Sequence, residues 1–112
     1  MQDICGIYKI ENLINHKCYI GQSIHINRRW YEHRSAGRSN LDYAKKSYLY
    51  NALKKYGEKN FSFTIIEECE NNIDILNAKE IYWIAYYDSY NNGYNLTAGG
   101  DNSAFFLKVK ID

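Results

Sequence analysis

Two short runs near the start of the chain, CGIYKI and KCYIGQ, carry the same three residue types in opposite order: Gly6-Ile7-Tyr8, then Tyr19-Ile20-Gly21. Further along stand Arg29 and His33, four residues apart, then Glu80 in an apolar stretch and Asn95 in a Gly-Tyr-Asn sequence. Two tyrosine hydroxyls, a guanidinium, an imidazole and one carboxylate make an inventory for cutting a phosphodiester bond. A carboxylate can hold a hard divalent cation, which prefers oxygen ligands. An arginine can stabilise charge on phosphoryl oxygens. A tyrosine or a histidine can handle the proton of the attacking water. Each residue also has a structural reading. Glu80 can sit in an ion pair, Arg29 and His33 on a solvated basic face, and the tyrosines at the edge of a core. Asn95 can simply form a turn.

The elements that must position these groups follow from local pattern. Residues 4–10 and 17–22, rich in Ile and Tyr, read as two strands of a hairpin. If Tyr8 lies opposite Tyr19, both rings leave one face, and a slip of one residue sends them to opposite faces. A helix is expected from about Arg28 to Ala36, with Asn27 as N-cap and Gly37 as terminator. It places Arg29 and His33 on one face. A second helix is expected from about Ala44 to Tyr56, with Ala44, Tyr48, Leu49, Ala52, Leu53 and Tyr56 as its apolar stripe and Gly57 as its end. A third strand covers about 61–67. A third helix runs from Ile73 or Asp74 to Tyr87. Its apolar face holds Leu76, Trp83, Ile84 and Tyr87, with Glu80 in the middle. A charge there is expensive unless paired or metal-bound. The order β-β-α-α-β-α predicts an α+β fold, a small antiparallel sheet covered by helices.

Bulk composition narrows the class. The 112 residues suit one domain, and the formal net charge is only +1. Basic residues gather between Arg28 and Lys59 and acidic ones between Glu67 and Glu80, an asymmetry that fits a nucleic-acid face or an ordinary solvated surface. There is no proline, so Gly, Asn, Ser and Asp must punctuate the chain. The three cysteines lack metal or disulfide spacing. No run approaches the roughly 20 apolar residues of a membrane span, and nothing at the N-terminus reads as a signal peptide. The chain reads as soluble and intracellular, cytoplasmic or nucleoid-associated.

The ordered series resembles the GIY-YIG nuclease superfamily, and specifically the catalytic domain of phage- and intron-type homing endonucleases. The matching residues are Gly6-Ile7-Tyr8, Tyr19-Ile20-Gly21, Arg29-Trp30, His33, Leu53-Lys54-Lys55-Tyr56-Gly57, Phe61, Glu80 with Trp83, and Gly93-Tyr94-Asn95. They span roughly residues 4–100, so residues 1–100 are expected to form the nuclease domain and 101–112 a tail. The resemblance implies a three-stranded antiparallel sheet with both signature tripeptides on adjacent strands. The tyrosines would then project into one site, and the glycines would keep the strand surface open beside the substrate backbone. It implies DNA as partner and one Mg2+ or Mn2+ ion as cofactor, held by Glu80 at the leaving 3′-oxygen. Tyr8 would be general base or water-orienting hydroxyl, and Tyr19 would orient phosphate or water. Arg29 would stabilise transition-state charge, His33 would handle a proton or contact phosphate, and Asn95 would support the site. The choice of Tyr8 or His33 as base stays open.

A free tyrosine has a pKa near ~10, so Tyr8 as base needs a neighbour that stabilises its phenolate. Lys17 is one candidate, with a surface role as its alternative. His16 and His25 lie in loops and match no catalytic position. Some homing-type members carry another histidine between the first two helices; here Asn40, Lys45 and Lys46 occupy that segment. Family members commonly continue beyond the Gly99-Gly100 region into a linker and a DNA-binding region, so the chain is either a stand-alone nuclease or a catalytic fragment. The alternatives are a restriction- or repair-type nuclease of the same superfamily, a catalytically inactive nucleic-acid-binding module, and a structural α+β domain.

Overall fold

The computed structural model describes residues 3–100; the tail expected at 101–112 lies outside them. The elements are β1 (Gly6–Asn12), β2 (Cys18–Ser23), α1 (Ile26–Gly37), α2 (Asp42–Lys45), α3 (Tyr48–Tyr56), a 3-10 turn (Glu58–Asn60), β3 (Phe61–Glu68) and α4 (Ile73–Tyr87). The strands form one antiparallel sheet in the order β2-β1-β3, with β1 in the centre. This is the expected α+β architecture. No described helix is long and apolar enough to cross a membrane.

The central strand is covered on both faces, and its alternation sorts side chains between them. Ile7 and Ile20 pack with Leu76 and Ile84 of α4. Tyr8 and Ile10 point the other way, against Ile26 of α1, Leu49, Ala52 and Leu53 of α3, Phe61 and Tyr94. Ile7, Ile10 and Ile20 are fully buried, each stabilising the fold by roughly 1.5–3 kcal/mol relative to an exposed position. The sheet is therefore the middle layer, between α4 and the α1–α3 pair.

The helical region departs from expectation in two places. The helix expected over 44–56 is two helices, α2 and α3. Ser47 breaks it: its backbone is extended, and its side chain accepts the N–H of Tyr50, capping a new helix. Tyr48, expected on the apolar stripe, is 57% exposed. Helix α1 begins earlier than expected, capped by His25 without a side-chain bond. Asn27 is inside the helix, and its Oδ1 accepts from the N–H of Ile4 at 2.9 Å, tying α1 to the lead-in of β1. Gly37 is the last helical residue and lies against the Leu53 side chain; Arg38 follows as the C-cap in ordinary right-handed geometry. Gly57 ends α3 as expected, at φ 86°, with its N–H bonded to the Leu53 carbonyl.

The structure fixes the register that local pattern leaves open. Tyr8 pairs with Gly21, and Tyr19 pairs with Ile10. The offset between the tyrosines is two residues, an even number, so both rings still leave the same face. Their centroids are 6.3 Å apart.

Candidate active site

Tyr8 is 1% exposed, yet its hydroxyl has two polar partners. It lies 2.7 Å from His33 Nε2 and accepts from Arg29 Nε at 3.4 Å. One turn of α1 separates Arg29 from His33, and Arg29 NH2 donates to the same Nε2 at 3.2 Å. A guanidinium has no acceptor, so Nε2 must present its lone pair. Burial, with the Arg29 charge adding to it, pushes the His33 pKa down to about 3, so the ring is neutral near pH 7 and carries one proton. That proton is on Nδ1, where it donates to Tyr50 Oη at 3.1 Å. Tyr8 in turn donates to Nε2. The proton order follows: Tyr8, at the shorter distance, donates to the single Nε2 lone pair with the Arg29 N–H sharing it as the weaker contact, and His33 donates to Tyr50.

Burial raises the Tyr8 pKa to about 12, although the Arg29 charge and hydrogen bond oppose it. A standing phenolate at neutral pH is therefore unavailable. Its proton has a direct recipient in His33. A phosphodiester placed at Arg29 would add negative charge beside His33 and increase its affinity for that proton. Tyr19 stands edge-on to the His33 ring at 5.4 Å. Its phenol is held well above the usual range by burial first, then by neighbouring Tyr8 and Glu80. It enters the site as a neutral hydroxyl.

Glu80 arrives from α4, the layer on the other side of the sheet. Its Oε1 accepts from Gln22 Nε2 at 3.3 Å and from the N–H of Gly100 at 2.9 Å. Gln22 also donates to Asn77 Oδ1 at 2.7 Å. The Glu80 charge acts on both Tyr8 and Tyr19, so the carboxylate belongs to the same electrostatic site. Among the described residues, no cluster of three or more His, Cys, Asp and Glu side chains could cage a metal. The Glu80 carboxylate by itself offers a hard oxygen donor, the ligand type used by divalent ions that keep several waters and take one or two carboxylates together with substrate phosphate.

Asn95 takes a different place from the other expected site residues. It is 6% exposed, with Oδ1 accepting from the Ile20 N–H and Nδ2 donating to the Ile20 carbonyl, both at 2.8 Å. Ser89 Oγ donates to Oδ1 at 2.7 Å. The amide thus pairs with the edge strand β2 as another strand would, and fixes Ile20 between Tyr19 and Gly21. It supports the site through the backbone. Lys17 is not the neighbour of Tyr8; it lines a cleft beside Tyr94. His16 and His25 pair with Glu11 and Asp3 and are not among the partners of Tyr8 or His33. Tyr50 and Gln22 were not singled out by sequence. Tyr50 sits beside the apolar stripe of α3, and only its partner 17 residues away reveals its use.

The signature glycines are filled by protein. A Cβ on Gly21 would lie 2.4 Å from Cζ and Oη of Tyr8, and one on Gly6 would lie 2.0 Å from the Glu67 carbonyl oxygen. Gly21 therefore makes room for the Tyr8 phenol, and Gly6 lets β3 approach. Neither keeps a surface open for substrate, as the resemblance had implied. Gly21→Ala is expected to displace the Tyr8 hydroxyl. Overpacking of this kind costs about 1–3 kcal/mol, and an ångström of misplacement costs on the order of 100-fold in rate. Urea unfolding and cleavage kinetics check both figures; a variant with wild-type values in both would show that Tyr8 has slack at this position.

Fold and site together define a nuclease domain, a phosphodiester hydrolase by class. Residues 4–95 match the GIY-YIG catalytic domain, and the chain belongs to that family. It is 32% identical over 109 residues to Intron-associated endonuclease 1 of Enterobacteria phage T4, a match covering 95% of this chain and 43% of that protein. The chain thus spans less than half the length of this relative. Its structure is similar to the catalytic domain of homing endonuclease I-TevI, with a TM-score of 0.74 and 29% identity over 83% of this chain and 98% of that one. A point mutant of the same domain gives a TM-score of 0.76 and 27% identity, covering 88% of this chain and 99% of that one.

Proposed function

We propose that this chain is a divalent-metal-dependent DNA endonuclease, with residues 1–100 as its nuclease domain. The observation that supports this best is the 2.7 Å contact between Tyr8 Oη and His33 Nε2, with Arg29 donating to both. A water attacking phosphorus in line loses its proton to Tyr8 Oη as Tyr8 passes its own to His33 Nε2. This relay gives Tyr8 and His33 a shared role as base. Arg29 sets the His33 tautomer that keeps Nε2 an acceptor, and Tyr50 Oη accepts the Nδ1 proton. Arg29 faces the phosphoryl oxygens, where charge grows in the transition state. Tyr19 donates to phosphate or water. Glu80 would hold one Mg2+ or Mn2+, which when bound supplies positive charge for the leaving 3′-oxygen.

The test is incubation of supercoiled plasmid with the protein, with Mg2+, with Mn2+ and with chelator. Cutting is expected with a metal and none with chelator. DNA bound but uncut in both metals would leave a binding module instead. With a net charge of +1, binding is expected to be weak and poorly specific, and to fall steeply with salt as phosphate contacts release counterions. Tight, salt-insensitive binding to one short sequence would instead point to base readout in the grooves.

A further inference from the structure

Beside the catalytic cluster lies a second cleft of about 380 Å³, lined by Asn15, Lys17, Tyr48, Asn51, Lys55 and Tyr94 among others, with no acidic residue in its wall. Tyr94 is shared: it also lines the smaller cavity that contains Tyr19, His33 and Tyr50. We infer that this second cleft is a phosphate subsite on the path of the DNA strand, in which Lys17 and Lys55 bind a backbone phosphate next to the one being cut. The inference rests on the nuclease reading above.

Charge is the first reason. Lys9, Arg29, Arg38 and Lys79 each face a carboxylate within 4.0 Å, whereas Lys17 and Lys55 form no ion pair among the described residues. Two uncompensated ammonium groups over a wall of amides and phenols favour an anion. Local direction is the second. On α3, Lys54 turns toward Ser39 and Asn40, while Lys55 lies over the Tyr56 ring, 5.3 Å from its centroid, and lines the cleft. Rigidity is the third. Tyr94 Oη is held by Asn12 and Asn15 amides at 3.1 and 3.2 Å. The Tyr94 N–H donates to the Cys18 carbonyl at 2.9 Å. A Cβ on Gly93 would lie 2.5 Å from that same carbonyl. The wall between the two cavities is thus anchored to β2, the strand that carries Tyr19. A strand seated in both would be placed in register with the scissile phosphate.

The test is a salt titration of binding to a labelled duplex, read by fluorescence anisotropy in chelator so that no cutting occurs. Three versions of the 112-residue chain are compared: wild type, Lys17→Gln/Lys55→Gln, and Lys9→Gln/Lys79→Gln. The last has the same charge change on the α4 side of the sheet. Circular dichroism checks that all three are folded. Each lost phosphate contact lowers the log–log salt slope by about 0.9, so the cleft variant, which gives up one phosphate, is expected to lose about 0.9 and the α4-side variant nothing. Two results would overturn the subsite: an unchanged slope in the cleft variant, or equal losses in both variants, which would mean a diffuse field. Failure of the wild type to bind duplex would instead overturn the nuclease reading itself.

Discussion

Glu80→Gln is expected to abolish metal-dependent cleavage and leave the protein folded. Glutamine keeps the length of the side chain and an oxygen that can accept from the Gln22 amide and the Gly100 N–H, as Glu80 Oε1 does. It removes the negative charge that would anchor a cation. Loss of a metal's contribution to transition-state charge is several kcal/mol, about a thousandfold or more in rate. Stability without metal should hold, because glutamine keeps the acceptor oxygen that Gln22 and Gly100 use. A purely structural Glu80, neutralising a buried cation, predicts the reverse: a loss of about 3–5 kcal/mol with cleavage retained. Thermal melts in chelator, run beside the plasmid assay, separate the two outcomes. A large fall in melting temperature with cutting intact would remove Glu80 as metal ligand.

Arg29→Lys is expected to bind DNA and to cut it at least ~100-fold more slowly, the scale of one lost transition-state donor. Charge is conserved, but shape is not. Arg29 distributes its donors over three acceptors: Tyr8 Oη, His33 Nε2 and Glu32 Oε1, the last at 2.6 Å. A lysine ammonium is a single point and cannot span them. It also gives up the donor that holds Nε2 as an acceptor, so the His33 proton is free to leave Nδ1 for Nε2 and block the relay from Tyr8. Single-turnover rates at saturating DNA measure the chemical step apart from binding. Near-normal rates in the lysine variant would reduce Arg29 to a positioning contact.

The elements and most of the candidate site residues were legible in the sequence because their signals are local. Alternation over a few residues marks β1, β2 and β3. The four-residue spacing of Arg29 and His33 puts them on one helical face. Gly57 stops α3 because it takes a positive φ that other residues resist. A charge inside the apolar pattern of α4 marked Glu80 without any coordinates. The ordered tripeptides and single residues between Gly6 and Asn95 are sequence facts too, and they were sufficient to identify the family.

Tertiary packing decided what depends on residues far apart in the chain. Ser47 splits a continuous helical pattern because its hydroxyl competes for the Tyr50 N–H, a choice that periodicity does not register. Register pairs Tyr8 with Gly21 and not with Tyr19, since the Tyr8 phenol needs the space where Gly21 lacks a side chain. Tyr50 becomes part of the site only when α3 packs beside α1, and that contact gives the Nδ1 proton of His33 its acceptor. Asn95 clamps a strand 75 residues earlier in sequence. Lys17, three residues before the strand position where Ile20 is clamped, faces a cleft built from α3 and the 93–94 turn. Local pattern names the groups that can do chemistry; distance in space decides which protons they share.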